Sequence, residues 1–274
     1  MWAVTAREGG ETVDDVLKQP PLLTGQCAFF FDVDGSLTEI QPHPALVTLS
    51  SAVLGHLARI FELSNGALAL ISGRSLTDLD NLTAPVRFPA AGLHGAERRD
   101  ISGIRHDTVL PPTMLAHIQD QLEALIAENP GTMLEFKGTA LAVHYRHALQ
   151  REGIITRQVK QIIAPYPAVS LQPGKCVLEV KPQGVNKGES IREFMNEYPF
   201  KERTPVFIGD DLTDEAGFNV VNQYQGVSIK VGEGATCASF RLASVTHVEA
   251  WLSRVGARRH EQEARSAQGK GGQQ

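Results

Sequence analysis

The sequence predicts an α/β fold, a Rossmann-like parallel-sheet core carrying an inserted smaller α/β cap domain, and three observations carry that prediction. Apolar runs of strand length at 27–31, 67–71, 204–209 and 227–231 alternate with stretches of helical period. The first three of these end beside glycines, carboxylates, a hydroxyl and an arginine, the residue types that bind ligands at the carboxyl ends of strands in an open parallel sheet. Between about 110 and 180 the pattern changes to helix, hairpin, helix, hairpin, whose antiparallel pairs do not belong in a parallel core.

Taken in order, residues 1–20 lack an apolar period and read as a flexible arm. The first strand lies in Cys27-Ala-Phe-Phe-Phe-Asp-Val-Asp-Gly-Ser-Leu-Thr38 and breaks at Gly35. A helix follows over 51–63, with Val53, Leu54, Leu57, Ile60 and Phe61 at helical spacing behind Ser50 as a cap. The strand at 67–71 and a short helix at 75–82 complete a unit whose spacing means a right-handed parallel crossover. Pro111 and Pro112 then open a helix with Leu115, Ile118, Leu122, Leu125 and Ile126 on one side, stopped by Asn129-Pro-Gly131. Strand-like runs at 132–137 and 139–146 join at Gly138, an amphipathic helix spans about 153–163, and a second hairpin (168–172, 176–180) turns at Pro173-Gly174. The expected division is therefore a discontinuous core at 21–110 and 181–254, a cap at 111–180, and a disordered, solvated tail at 255–274. Glycines at 92–95 and in 182–184 are expected hinges between the two.

Composition narrows the classes of function. Of 274 residues, 42% are hydrophobic and 21% charged, ordinary for a globular protein, and the net charge of -5 with no basic stripe argues against nucleic acid as a partner. No apolar span long enough for a membrane and no signal peptide is present, so a cytoplasmic protein with no membrane partner is expected. Cys27, Cys176 and Cys237 are widely spaced in apolar runs and read as reduced core residues.

The chemistry concentrates at the strand ends. Asp32 and Asp34 stand two residues apart, so on a strand their carboxylates share one face. Like charges that close require a cation or a shared proton, which implies a divalent metal, an acid/base pair, or both. A solvated strand exit is the plain alternative for these two residues alone. Leu68-Ala-Leu-Ile-Ser-Gly-Arg74 presents a hydroxyl, a glycine and an arginine; Gly184-Val-Asn-Lys-Gly188 sets Lys187 before a helix; Thr204-Pro-Val-Phe-Ile-Gly-Asp-Asp-Leu-Thr-Asp-Glu215 opens onto acidic residues. Singly, Ser72 also suits a helix cap, Lys187 a solvated surface and Asp214 a first helical turn. Their coincidence in one chain, each at a strand end, favours a phosphate and metal site.

These motifs, in this order, resemble the haloacid dehalogenase-like phosphatases over about residues 25–250. Within them, Leu134-Glu-Phe-Lys-Gly-Thr-Ala-Leu-Ala-Val-His-Tyr-Arg146 and Leu178-Glu-Val-Lys-Pro-Gln-Gly-Val-Asn-Lys-Gly188 resemble the trehalose-6-phosphate phosphatase family. Ser36 departs from the commoner threonine but keeps the hydroxyl. The resemblance implies a Mg²⁺-dependent phosphoric monoester hydrolase, acting on the phosphosugar trehalose 6-phosphate as the last step of trehalose biosynthesis. It implies Asp32 as nucleophile, Asp34 as general acid and base, and Lys187 as the cation between nucleophile and phosphate. Ser72 and Gly73, with Arg74, would hold phosphate oxygens. Metal ligands would come from Asp32, the carbonyl of Asp34 and Asp210, with Asp211 and Asp214 completing or orienting the shell. On the cap, Glu135, Lys137 and Glu179 match residues that bind the distal glucose, with His144 and Arg146 weaker candidates; without the family, charge on a half-buried sheet would read as solvent-facing. A functional link to a trehalose-6-phosphate synthase follows from the same resemblance.

Rival readings stay distinguishable. A phosphatase of the same fold acting on another sugar phosphate, such as sucrose phosphate or a mannosyl ester, is told apart by replacing Glu135, Lys137 and Glu179: intact activity on trehalose 6-phosphate would count against the substrate assignment. A signalling receiver also phosphorylates a strand-end aspartate, but lacks the second carboxylate and the cap. A non-catalytic sugar-phosphate sensor is disfavoured because every catalytic position is filled.

Overall fold

The computed structural model describes residues 19–21, 23, 26–136, 139–174 and 176–270, with the side chains of 44 and 258–270 outside that description. Most of the expected arm at 1–20, and Lys137, fall outside it. The core opens with β1 (Cys27–Phe31), α1 (Ser51–Leu63), β2 (Leu68–Ile71), α2 (Leu76–Thr83), β3 (Ala90–Gly92), β4 (Glu97–Arg99) and β5 (Arg105–Asp107). An insertion follows: α3 (Pro112–Glu128), β6 (Met133–Phe136), β7 (Leu141–His144), α4 (Glu152–Ile163), β8 (Val169–Gly174) and β9 (Val177–Pro182). The core then resumes with α5 (Lys187–Met195), β10 (Thr204–Gly209), α6 (Glu215–Gln223), β11 (Val227–Val231), β12 (Phe240–Leu242) and α7 (Val245–Lys270).

The eight-stranded sheet has the order β12-β11-β10-β1-β2-β3-β4-β5, parallel from β12 to β3 and antiparallel through β4 and β5. The chain starts at the centre on β1, moves out one way, and after the insertion returns beside β1 on β10. That reversal makes the β1/β10 boundary the topological switch point, where the crevice for a ligand opens. Strand periodicity divides the core accordingly. Phe29, Phe31, Leu68, Leu70, Val206 and Ile208 belong to one buried layer with residues of α1, α2 and α7. Phe30, Ala69 and Phe207 belong to the other, with Ile191 and Phe194 of α5 and Phe218 of α6. Both faces are covered, which is why these strands are continuous apolar runs rather than alternating ones.

The insertion forms its own antiparallel sheet, β6-β7-β9-β8, with a separate apolar cluster built from α3, α4 and the inward residues Val143, Leu178 and Val180. Leu134, Val143 and Leu178 form one cross-strand row, whereas the neighbouring row Glu135, Ala142, Glu179 and Gln172 belongs to the opposite face. One face is thus apolar against helices and the other polar.

Several details differ from the sequence reading. The second hairpin reverses between Gly174 and Val177, not at Pro173-Gly174, because Pro173 pairs with Leu178 and Gly174 with Val177. Proline is tolerated there since β8 is an edge strand. Gly92 and Gly95 are not hinges of the insertion: the chain goes on to β4 and β5 of the main sheet, and Leu93 and His94 donate backbone bonds to Arg74 and Ser72 carbonyls. The tail expected to be disordered from 255 is instead helical as far as Lys270, since its Ala, Arg, Glu and Gln residues are good helix formers with no proline to stop them. Residues 271–274 lie outside the described residues. All three cysteines are free, but only Cys27 is in the core; Cys176 is half-buried and Cys237 exposed. Among the described residues, no helix is long and apolar enough to cross a membrane.

Candidate active site

Asp32 follows β1 directly, and its N–H donates to the Ile208 carbonyl (2.9 Å), extending the β1/β10 pairing by one rung. This places its carboxylate at the switch point, buried at 3% exposure. From the N-terminus of α5, Lys187 Nζ donates to Asp32 Oδ1 and to Asp214 Oδ1, both at 2.7 Å. Asn186 fixes that helix start, its side chain accepting from the Glu189 N–H. Asp214, fully buried, is used on both oxygens: Oδ2 accepts the backbone N–H groups of Asp210 (3.0 Å) and Asp211 (2.9 Å). One oxygen each of Asp32, Asp210 and Asp214 lie within 4.8 Å of one another.

The electrostatics follow from burial. Loss of water pushes the Asp32 pKa well above the ordinary carboxylate value; Lys187 pulls it down, and Asp214 and Asp210 push it up again. Asp210 is raised to about 6, by burial first and then by the Asp214 charge. Burial disfavours the Lys187 ammonium, but Asp214 and Asp32 outweigh that and raise its pKa. Lys187 hydrogen-bonds two of the three carboxylates, Asp32 and Asp214, while Asp210 Oδ1 is buried with no hydrogen-bond partner among the described residues. A buried carboxylate oxygen without a donor is costly. The oxygen donors and their charge suit a hard divalent cation such as Mg²⁺. Gly35 makes room for this arrangement: its φ is +82°, and a Cβ there would stand 2.1 Å from Asp210 Oδ2.

The other expected residues fall into place unevenly. Asp34 is outside the carboxylate group. Both its oxygens are held by Arg74, through Nε and one terminal nitrogen, each at 2.6 Å. Arg74, expected on the phosphate, is therefore engaged with Asp34 here, the bidentate fork matching the carboxylate. Asp211 is also outside the group, exposed, with its side chain capping the Leu212 N–H. Ser72 is buried at the end of β2 and its hydroxyl accepts from the Arg74 N–H (3.2 Å). Gly73 packs under the His94 ring, 2.8 Å from where its Cβ would stand. On the insertion, Glu135 and Glu179 flank Ala142 in one row, and His144 Nε2 lies 2.7 Å from Glu135 Oε2. Arg146 is exposed just beyond β7.

Lys230 escaped the sequence reading, and Lys181, which the strand alternation sets on one face with Glu179, was not among the expected sugar-binding residues. Lys230, a lysine inside the apolar strand β11, is buried with its Nζ on the Asp210 carbonyl at 2.6 Å. Lys181 shares the polar face with Glu179, is buried, and donates to Gln172; burial lowers its pKa to about 8. A lysine within the apolar run of β11 was the available signal for Lys230.

A doubly wound sheet with an aspartate cluster and a lysine at its switch point, and an antiparallel insertion, is the fold of the haloacid dehalogenase-like phosphatases. Among solved structures, the C-terminal domain of C. albicans trehalose-6-phosphate phosphatase shares it with a TM-score of 0.71 at 23% identity, covering 85% of this chain and 92% of that one. A phosphatase of the HAD superfamily from Bacteroides thetaiotaomicron shares it with a TM-score of 0.60 at 14% identity, covering 91% of this chain and 99% of that one. The chain belongs to the trehalose-phosphatase family, whose profile it matches over residues 30–246. It is 52% identical over 239 residues to the trehalose-6-phosphate phosphatase of Escherichia coli (strain K12), covering 87% of this chain and 90% of that protein. It is 37% identical over 224 residues to a probable trehalose-phosphate phosphatase of Sinorhizobium fredii, covering 81% of this chain and 84% of that one.

Two substitutions probe the geometry. Lys187→Ala leaves Asp32 and Asp214 buried without their cation and costs about 3–5 kcal/mol at neutral pH, read by urea unfolding in chelator. Because protonation relieves a carboxylate whose pKa is raised, that deficit shrinks as the pH falls toward 5. Gly35→Ala costs at least about 1 kcal/mol for the left-handed backbone alone and displaces Asp210, so it also weakens divalent-cation binding in a calorimetric titration.

Proposed function

We propose that the chain is a Mg²⁺-dependent phosphatase that hydrolyses trehalose 6-phosphate to trehalose and phosphate. The observation that carries this is the buried Asp32, aimed by Lys187 and grouped with Asp210 and Asp214, one oxygen of each within 4.8 Å of the others. Phosphate monoesters resist hydrolysis strongly, so a two-step path through a covalent intermediate is favoured. An Asp32 oxygen attacks phosphorus and the bond to the sugar oxygen breaks, leaving an acyl phosphate on Asp32. Asp34 gives its proton to the departing trehalose oxygen. It then takes a proton from water, which attacks phosphorus and frees Asp32 and inorganic phosphate. Arg74 holds Asp34 in the substrate-free site; a phosphate seated at Ser72 and Gly73 competes for that guanidinium and so frees the Asp34 side chain to turn toward the leaving oxygen. Lys187 offsets repulsion between the Asp32 carboxylate and the incoming phosphate. Asp32 and Asp210, with the Asp34 carbonyl, would hold Mg²⁺, with Asp214 orienting the loop that carries Asp210. When bound, the metal supplies positive charge to the phosphoryl oxygens.

Specificity falls to the inserted domain acting as a cap. Glu135, Glu179 and Lys137, with His144, Arg146 and Lys181 beside them, would bind the hydroxyls of the distal glucose, which offer donors and acceptors but no charge. Ala142 stands between Glu135 and Glu179 in one cross-strand row, which sets the two carboxylates on the same face of the sheet. Acting in the cytoplasm, such an enzyme would consume the product of a trehalose-6-phosphate synthase, its functional partner.

Phosphate release from a panel of sugar phosphates tests this. Trehalose 6-phosphate is expected to be strongly preferred over glucose 6-phosphate and sucrose 6-phosphate, with activity abolished by chelator. Asp32→Asn is expected to lose at least about a thousandfold in kcat, and Glu179→Ala to raise KM for trehalose 6-phosphate while sparing p-nitrophenyl phosphate. Activity spread evenly over small phosphates would sink the cap assignment. Metal binding should also depend on pH: burial and the Asp214 charge raise the Asp210 pKa to about 6, so below that pH its carboxyl carries a proton that the cation must displace. With Asp210 near pH 6, Mg²⁺ affinity is expected to fall about tenfold per pH unit below 6 for each proton released, seen by calorimetry in buffers of different ionisation enthalpy.

A further inference from the structure

The structure assigns Lys230 the role of a positioning residue that orients Asp210 toward the metal. Lys230 stands on β11 in register with Gly209, the last residue of β10, so its stem runs beside the point where the chain leaves the sheet for the acidic loop. Its Nζ donates to the Asp210 carbonyl and to the Val231 carbonyl, both at 2.6 Å, and the residue is only 6% exposed. The Asp210 carbonyl and the Asp211 N–H belong to one peptide unit. Lys230 grips that unit by its oxygen, and Asp214 grips it by its N–H at 2.9 Å. Gripped at both ends, the peptide plane cannot rotate, and the Asp210 Cα is tied again through its own N–H to Asp214 at 3.0 Å. The direction of the Asp210 side chain is thereby set before any cation arrives, with Oδ1 buried and unpartnered.

Energetics support a role beyond filling space. Burying an ammonium costs several kcal/mol, which a methionine of similar length would avoid. Arg241 adds a nearby like charge, and it is itself occupied with the Gly232 and Gly234 carbonyls. What Lys230 provides that an apolar residue does not is a pair of donors aimed at two carbonyls. Partners that orient ligands in this way are worth about 10–100-fold in metal affinity.

The inference rests on Asp210 being a metal ligand, and a calorimetric titration of the substrate-free protein with Mg²⁺ alone separates the two. Through-space charge and positioning make opposite predictions. Removing a cation beside an acidic cluster would tighten Mg²⁺ binding, whereas loss of the carbonyl clamp weakens it. Lys230→Met is expected to raise the Mg²⁺ dissociation constant about tenfold or more, and Lys230→Arg, which keeps donors, to recover most of that. In turnover, the Mg²⁺ concentration for half-activation rises in the Met variant while KM for trehalose 6-phosphate at saturating Mg²⁺ holds, a split that general destabilisation does not produce. Unfolding in chelator checks that each variant is folded, and Lys230→Gln replaces the Met variant under the same criterion if that one is not. Wild type that binds Mg²⁺ together with a Met variant that binds it equally or more tightly overturns the role of Lys230 alone. Wild type that binds no Mg²⁺ overturns the metal reading and this inference with it.

Discussion

Lys187 between Asp32 and Asp214 is the interaction on which the rest of the site depends. Three carboxylates converge at the carboxyl ends of β1 and β10, where water is excluded and each charge raises the cost of the others. A single ammonium, donating to two of them at 2.7 Å, lets them coexist in the folded chain. The partner comes from 155 residues downstream of Asp32, so it cannot arise locally. It requires the chain to leave the sheet, build the insertion, and return with α5 packed so that its first residue points into the crevice. The helix N-terminus is not itself a favourable place for a cation; the two aspartates make it one.

Asp214 shows how the same constraint propagates. Its oxygens accept from Lys187 on one side and from the backbone of Asp210 and Asp211 on the other, so it couples the lysine to the geometry of the acidic loop. A residue that the motif marks as acidic therefore acts chiefly as a bracket. Asp211 and Asp34, equally acidic in sequence, go to different work: one caps a turn and the other is clasped by Arg74. Proximity in sequence does not make these carboxylates equivalent, because burial and donor supply differ for each.

The division between core and insertion has a comparable physical basis. In the core, both faces of the sheet are covered by helices, which leaves only strand ends for chemistry. In the insertion, α3 and α4 cover one face, and the other carries Glu135, His144, Glu179 and Gln172, half-buried, with Lys181 buried beside them.

How much of this was legible beforehand follows from the range of the forces involved. Period and residue type act locally, so the sequence by itself determined the alternation of strands and helices, the Ser50 cap of α1, the antiparallel insertion, the placing of Asp32, Asp34 and Asp210 at strand ends, and that of Lys187 at the start of a helix. The short strands β3, β4, β5 and β12 were not legible, since three residues carry too little pattern and their pairing depends on an existing sheet edge. Nor was the hairpin reversal beyond Pro173-Gly174, where edge position cancels the usual cost of proline. Only tertiary structure decided which carboxylates meet, that Arg74 clasps Asp34, and that Lys230 reaches the Asp210 carbonyl. Those contacts join segments far apart in the chain, and their strength comes from burial, which exists only once the core has closed.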